Sequence, residues 1–463
     1  MASCATIVLY LSNNSMVERA SAGADLVKML QARGYEAYFA GGCVRDMLLG
    51  LPPKDIDIAT SAKPEEVAHI FAHTFTAGRQ LGERFGVLSV VHEGEIFEIA
   101  TFRADSAESD GRRPESVTFV DAKTDALRRD FTINALFYDP TTDTVHDFVE
   151  GRKDLDERLI RFIGDPGQRI GEDSLRLLRA VRFVHQIEGQ YEPETYAALR
   201  THAKLVTKVS WERIAAELHR MLMTPSRAQA LEDLQDLGLL MHLLPEVEAL
   251  KGVAQPRQFH REGSVWNHAM HALRSLPEDS TLEAIWGALL HDVGKATTFS
   301  VEERIRFDGH AEASAVIAQS ILERLRFPRK SREMIVWAIE HHMSLGHLLE
   351  PTVSEKTKAS WFGHPAFPLL LAVHHADALG TTPPDDGMYR ELSAAFNAWQ
   401  EAEHARAPDV LTGHDIMEIL QLPPSPRIGE ILQASHEAQH EGQFHTYEEG
   451  KTWLLAHFAG ERS

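Results

Sequence analysis

One stretch limits what this chain can fold into: Tyr38-Phe-Ala-Gly-Gly-Cys-Val-Arg-Asp-Met-Leu-Leu-Gly50, followed by Lys54-Asp-Ile-Asp-Ile-Ala-Thr60. A mostly apolar run, Tyr35 to Ala40, stops at Gly41 and Gly42. A short amphipathic stretch, Val44 to Leu49, comes next. Asp55 and Asp57 then alternate with apolar residues, so on a strand both carboxylates point one way. Two close carboxylates repel each other unless a cation sits between them. Hard oxygen ligands of this kind suit Mg²⁺ that also binds substrate phosphates. Glycines ahead of a helix let backbone N–H groups approach a phosphate, and Arg45 lies close by for a charge-assisted contact. Either half alone is explained by a strand, a turn and a surface Asp-x-Asp. Together, in this order, they point to metal-assisted phosphoryl or nucleotidyl transfer.

The signature Gly-Gly-x-Val-Arg-Asp-x-Leu-Leu-Gly with a following Asp-x-Asp resembles that of class II RNA nucleotidyltransferases. These are the tRNA CCA-adding enzymes and bacterial poly(A) polymerases of the DNA polymerase β-like superfamily. A chain of 463 residues is too long for one ordinary core. The expected organisation is α+β. An N-terminal extension (1–16) precedes a nucleotidyltransferase head of mixed β-sheet with helices (17–158). An all-α neck follows (159–250), then an all-α HD domain (251–383) and a C-terminal helical region (384–463). Only two cysteines, Cys4 and Cys43, argue against a disulfide scaffold and suit a reducing cytoplasm. No apolar run reaches the length of a membrane span. A net charge of −21 counts against a generic nucleic-acid binder and predicts RNA contacts confined to one face.

Along the head, Val17–Arg33 reads as an amphipathic helix and Lys63–Phe71 as a helix with Pro64 in its first turn. Gly86–His92 and Glu95–Phe102 read as a hairpin turning at Glu93-Gly94. Glu98 either faces the two aspartates as a third acidic group or points outward. Arg103–Ser116 has no periodicity, and Asp110-Gly-Arg-Arg-Pro114 within it resembles the family's flexible loop. Paired arginines in Arg128-Arg-Asp-Phe-Thr-Ile-Asn-Ala-Leu136 fit a triphosphate, because guanidinium matches phosphate oxygens bidentately. This segment resembles the second family motif. The resemblance implies that Arg129 contacts nucleotide and makes Asp130 a catalytic candidate beside Asp55 and Asp57, with Gly42 and Arg45 also at the nucleotide.

In Ile170–Phe183, charged residues recur at three-residue steps: Asp173, Arg176, Arg179 and, less directly, Arg182. One continuous helix would carry them as a ribbon. An ion-pair-laced surface helix has the same spacing. The segment resembles the third family motif, which implies that Asp173 and Arg176 read the edge of the incoming base, with Arg179 and Arg182 holding nucleotide or helix. Ser210 reads as an N-cap. Ala228–Leu244 reads as one helix ended by Pro245.

Beyond Pro256 the ordered set His268, His291-Asp292, His310, His342 and Asp377 resembles the HD phosphohydrolase domain. Imidazole nitrogen and carboxylate oxygen are plausible ligands for a divalent transition metal. His341 competes with His342 for the same place. His271, His374 and His375 read as helix residues or as groups behind the ligands. Thr412 reads as a helix cap in Leu411–Met417, and the tail resembles the C-terminal region of bacterial CCA-adding enzymes.

The resemblance implies addition of C, C and A from CTP and ATP to the tRNA 3′ end in the cytoplasm. Mg²⁺ would sit at Asp55 and Asp57, and a second divalent metal in the HD domain. Alternatives are a poly(A) polymerase, a partial (CC- or A-) adding enzyme, or an HD metallophosphohydrolase whose head only binds nucleotide.

Overall fold

The computed structural model describes residues 14–72, 86–105, 117–256, 261–301, 303–405, 409–440, 442–458 and 460. The expected N-terminal extension falls largely outside them, and the Asp110-Gly-Arg-Arg-Pro114 segment entirely so. The chain divides into two compact units, one ending at Arg390 and one beginning at Glu391.

The first unit opens with α1 (Asn14–Gln31), three residues earlier than the periodicity suggests. A six-stranded mixed sheet follows, built from β1 (Ala37–Ala40), β2 (Asp57–Thr60), β3 (Val87–His92), β4 (Glu95–Thr101), β7 (Phe137–Asp139) and β8 (Thr144–His146), with a separate pair β5 (Arg103–Asp105) and β6 (Val117–Phe119). Strand order is β3-β4-β2-β1-β7-β8. Within this sheet only β2 and β4 run parallel, and their register sets Asp57 beside Glu98. In-register neighbours face the same side of a sheet, so the two carboxylates share a face. Ile58, Phe39, Phe97 and Ile99 are buried within the sheet's layers. Short helices α2 (Gly42–Leu48), α3 (Pro64–Ile70), α4 (Ala122–Leu127) and α5 (Gly151–Asp156) flank it.

The rest of the unit is helical. The expected ribbon helix is two helices, α6 (Pro166–Glu172) and α7 (Arg176–Gln186). Asp173 is extended, with ψ 102°, and its Oδ1 accepts the Leu175 amide at 3.1 Å. A short polar side chain that bonds its own backbone two residues on ends a helix as readily as it decorates one. α8 (Pro193–Thr201), α9 (Trp211–Leu222) and α10 (Arg227–Asp236) complete the neck. Ser210 is the N-cap of α9, though without a side-chain cap bond. The expected Ala228–Leu244 helix is broken at Gly238, whose φ of 73° suits glycine, and resumes at Leu240–Leu243.

The HD region packs helices Val265–Ser275, Leu282–Leu290, His310–Arg324, Arg329–His341 and Phe367–Gly380 around buried Trp286, Leu289, Leu322, Ile339 and Val373. The second unit contains helices Gly413–Leu420, Pro426–His440 and Tyr447–Phe458 around Leu411, Ile416, Leu420, Ile431, Phe444 and Leu454. Thr412 caps as expected: its Oγ1 accepts the Asp415 amide, and Asp415 Oδ2 accepts the Thr412 amide. Among the described residues no helix is long and apolar enough to cross a membrane.

Candidate active site and metal centre

A cavity of about 680 Å³ opens between the head sheet and α7. Gly41, Gly42 and Arg45 line it, as do Asp55, Asp57 and Glu98. The segment Arg128, Arg129, Asp130 and Asn134 contributes a further part of the wall, and Asp173, Arg176, Arg179, Arg182 and Phe183 the rest. The catalytic and nucleotide-binding candidates of the head and neck therefore reach one space.

The acidic side differs from the expected alternate pair. Only Asp57 lies on β2; Asp55 precedes it in a bend after Pro52-Pro53. The carboxylates still converge. Burial, then Asp55 and Glu98, push the Asp57 carboxyl up to about 6, against the pull of Arg129. Among the described residues no cationic side chain pairs with Asp55 or Asp57 at contact distance. Asp55, Asp57 and Glu98 line one cavity, and carboxylate oxygens of this kind are what a hard divalent cation takes. Glu98 thus resolves toward the site.

On the opposite side, cations are held by carboxylates from elsewhere in the fold. Gly41, at φ 75°, is the N-cap of α2, and a Cβ there would come within 2.8 Å of Arg129 Nη1. Only glycine lets that guanidinium lie against the turn. Arg45 is 4% exposed. It donates to Asn134 Oδ1 (2.7 Å) and Asp46 Oδ1 (2.7 Å), and its guanidinium lies 4.9 Å from the Phe183 ring centroid. Asp130 does not join the carboxylate cluster. Its Oδ1 accepts the Phe131 amide and Asn134 Nδ2, and its Oδ2 pairs with Arg179 at 2.6 Å. Burial would raise its pKa, yet Arg179 and these bonds hold it below the ordinary value. Both its oxygens are engaged, and the pair with Arg179 ties the head to α7.

Asp173 and Arg176 are also partnered. Asp173 Oδ2 takes Arg213 of α9 at 2.8 Å, and Arg176 takes Glu172 at 2.8 Å. Arg182 donates to buried Glu217 at 2.6 Å and sits 4.0 Å from the Phe183 centroid. Sequence reading missed Arg213 and Glu217. Their i, i+4 spacing on α9 puts them on one helix face, and the segment Ser210–Leu218 resembles a further motif that supports the neck.

The HD set converges too. His268 Nε2 lies 3.3 Å from His291 Nε2 and 2.9 Å from Asp377 Oδ1. Asp292 stands in the middle. Its Oδ2 is 3.4 Å from His291 Nε2, and its Oδ1 is 3.4 Å from His310 Nε2 and 3.9 Å from His342 Nε2. Three histidines are oriented alike: Nδ1 of His291, His310 and His342 meets the carbonyl of Ala288, Phe307 and Ile339 respectively. That bond fixes the tautomer and leaves Nε2 free to ligate. His342, 3% exposed, belongs to the cluster. His341 instead stacks on Trp337, with centroids 4.6 Å apart. His375 stacks on Tyr389. Lys295 Nζ contacts Asp292 Oδ2 at 2.5 Å and Gln255 Oε1 at 3.1 Å. Despite burial, Lys295 and His291 hold Asp292 well below the ordinary carboxylate range. These nitrogen and carboxylate donors fit a divalent transition metal.

Three family descriptions match in the same order as this geometry: the Poly A polymerase head domain over residues 37–161, the probable RNA and SrmB-binding site of polymerase A over 190–251, and the HD domain over 264–381. The chain thus carries a polymerase-type nucleotidyltransferase head, an RNA-binding segment and an HD domain in succession. Among the proteins it is similar to, the CCA-adding enzyme of Geobacillus thermodenitrificans (strain NG80-2) is 40% identical over 270 residues, covering 58% of this chain and 62% of the relative. That of Levilactobacillus brevis is 44% identical over 215 residues, covering 46% and 53%. The match thus spans between half and two thirds of these relatives' lengths. A solved CCA-adding enzyme from Bacillus stearothermophilus in complex with CTP superposes with a TM-score of 0.64 at 28% identity, covering 95% of this chain and 98% of that one. A Thermotoga maritima CCA-adding enzyme complexed with tRNA shares the fold, with a TM-score of 0.55 at 20% identity over 98% of both chains. Proteins with these head and HD domains generally use divalent metals.

Proposed function

We propose that this protein adds C, C and A from CTP and ATP to the 3′ end of tRNA, in the cytoplasm. The observation that carries this reading is the single cavity in which Asp55, Asp57 and Glu98 share walls with Arg128, Arg129, Asp173 and Arg176. The 3′-terminal ribose oxygen attacks the α-phosphorus of the bound nucleotide. A P–O bond forms, the α–β phosphoanhydride bond breaks, the hydroxyl proton leaves and pyrophosphate departs. Asp55 and Asp57 would hold Mg²⁺, which would supply Lewis acidity for the hydroxyl and for charge on the leaving oxygens. Arg128 and Arg129 bind the triphosphate, and the Gly41–Gly42 turn lets it approach the backbone. Asp173 accepts from an exocyclic amine and Arg176 donates to a ring nitrogen or carbonyl, choosing the base. Both already stand with their polar edges fixed by Arg213 and Glu172, so little order is lost when a base arrives.

The HD cluster supports a second activity, metal-dependent phosphate-ester hydrolysis. Its support is the convergence of four Nε2 atoms and two carboxylates with Lys295 alongside. The main reading is tested by incubating the protein with tRNA ending at the discriminator base and labelled CTP, ATP or both. Extension by two C with CTP alone, and by a further A when ATP is added, is expected. Long homopolymeric A tails would sink it.

A further inference from the structure

Arg128 and Arg129 share one buried carboxylate that no motif singled out. Asp125 lies in α4 and is 2% exposed. Its Oδ1 accepts from Arg128 Nε (3.0 Å) and Nη2 (2.7 Å); its Oδ2 accepts from Arg129 Nε (3.1 Å) and Nη2 (3.0 Å). Each oxygen therefore takes one guanidinium in two-point contact. Oδ1 also accepts the backbone N–H of Arg103, the first residue of β5, at 3.2 Å. Two adjacent guanidiniums repel, and a carboxylate between them relieves that repulsion while fixing both orientations. Arg129 is held further by its Nη1 bond to the Asn134 carbonyl (3.1 Å) and by the Phe137 ring, 4.8 Å away. Both side chains line the same cavity as Asp57.

We propose that Asp125 is the positioning residue of the phosphate site. It holds Arg128 and Arg129 as a preformed pair of donors for the triphosphate and, through the Arg103 amide, ties that pair to the β5–β6 hairpin. This rests on the nucleotide-transfer reading above. Asp125 touches neither nucleotide nor RNA; it acts through the arginines. Burial would raise its pKa, but Arg129 and Arg128 hold it below the ordinary value, so the carboxylate is charged at neutral pH. Arginines fixed in advance lose less freedom on binding than mobile ones, so loss of Asp125 weakens affinity before it slows chemistry.

The test uses tripolyphosphate, which has no base and needs no turnover. Calorimetry on Asp125→Asn, which keeps the shape but not the charge, is expected to show Kd raised about tenfold, as fits one charge-assisted contact. KM for CTP and for ATP should rise by a similar factor while kcat changes less than about threefold. A merely structural role would lower Tm and the active fraction and leave KM unmoved. Where Asp125→Asn does not fold, Asp125→Glu carries the same test with a rise of about threefold. A folded variant with unchanged Kd and KM overturns the proposal, as does a wild-type protein that does not bind tripolyphosphate. If the wild type binds tripolyphosphate but extends no RNA, the nucleotide-transfer reading fails while the role of Asp125 is still read from Kd.

Discussion

The two acidic centres of this chain settle their charge in opposite ways. In the head, Asp57 stands with Asp55 and Glu98 and is pushed up to about 6. In the HD cluster, Asp292 is surrounded by His268, His291, His310, His342 and Lys295 and is held well below its ordinary value. Asp57 is half-buried and Asp292 fully so, yet it is the more buried carboxyl that is held down, so the neighbours decide. A carboxylate group left without a counter-ion is ready for a cation that arrives with a phosphate ligand. A carboxylate wrapped in oriented imidazoles offers the mixed nitrogen and oxygen donors that suit a transition metal.

Mutations that remove one centre should leave the other working. Asp55→Ala has the largest expected effect: nucleotide incorporation falls on the order of a thousandfold, while phosphate-ester hydrolysis at the HD cluster is unchanged. Surviving incorporation would show that the carboxylates are misassigned. The mirror experiment is His291→Ala, which should strip transition metal from the purified protein, as elemental analysis would show, and abolish hydrolysis while incorporation stays within about twofold. Loss of both activities together would break the separation of the two centres.

Asp173→Ala is expected to act on choice rather than rate. Discrimination between CTP or ATP and the other two ribonucleotides should shrink by about ten- to a hundredfold in kcat/KM. Retained selectivity would remove Asp173 from base recognition.

The smallest effect is a pH dependence. A carboxyl raised in the folded state binds its proton more tightly there than in the unfolded chain, so its contribution to stability is lost as pH rises from about 4 through about 6. Mg²⁺ competes with that proton. Added Mg²⁺ should therefore raise Tm by a few degrees at pH 8 and by less at pH 5. Equal shifts at both would mean that Asp57 is not where the cation binds.

Much of this contrast was legible in the sequence, because the chemistry-bearing residues sit in short local motifs. The Gly-Gly turn, the Asp-x-Asp, the paired arginines and the ordered histidines all reach the two centres expected of them. What stayed hidden is partnership across long separations. Arg182 meets Glu217, Arg179 meets Asp130, and Asp173 meets Arg213, each more than thirty residues away. Spacing alone could not tell one helix from two at Asp173, since both present charges at similar intervals. Nor could it tell His342 from His341. That choice depends on which ring bonds the carbonyl of Ile339 and faces Asp292, and which stacks on Trp337.

The central claim is most directly tested by sequencing the 3′ ends of discriminator-ended tRNA after incubation with the wild-type protein, CTP and ATP. The account predicts ends that read CCA and stop there. Ends that carry no added nucleotide, or that run on in A, would contradict it.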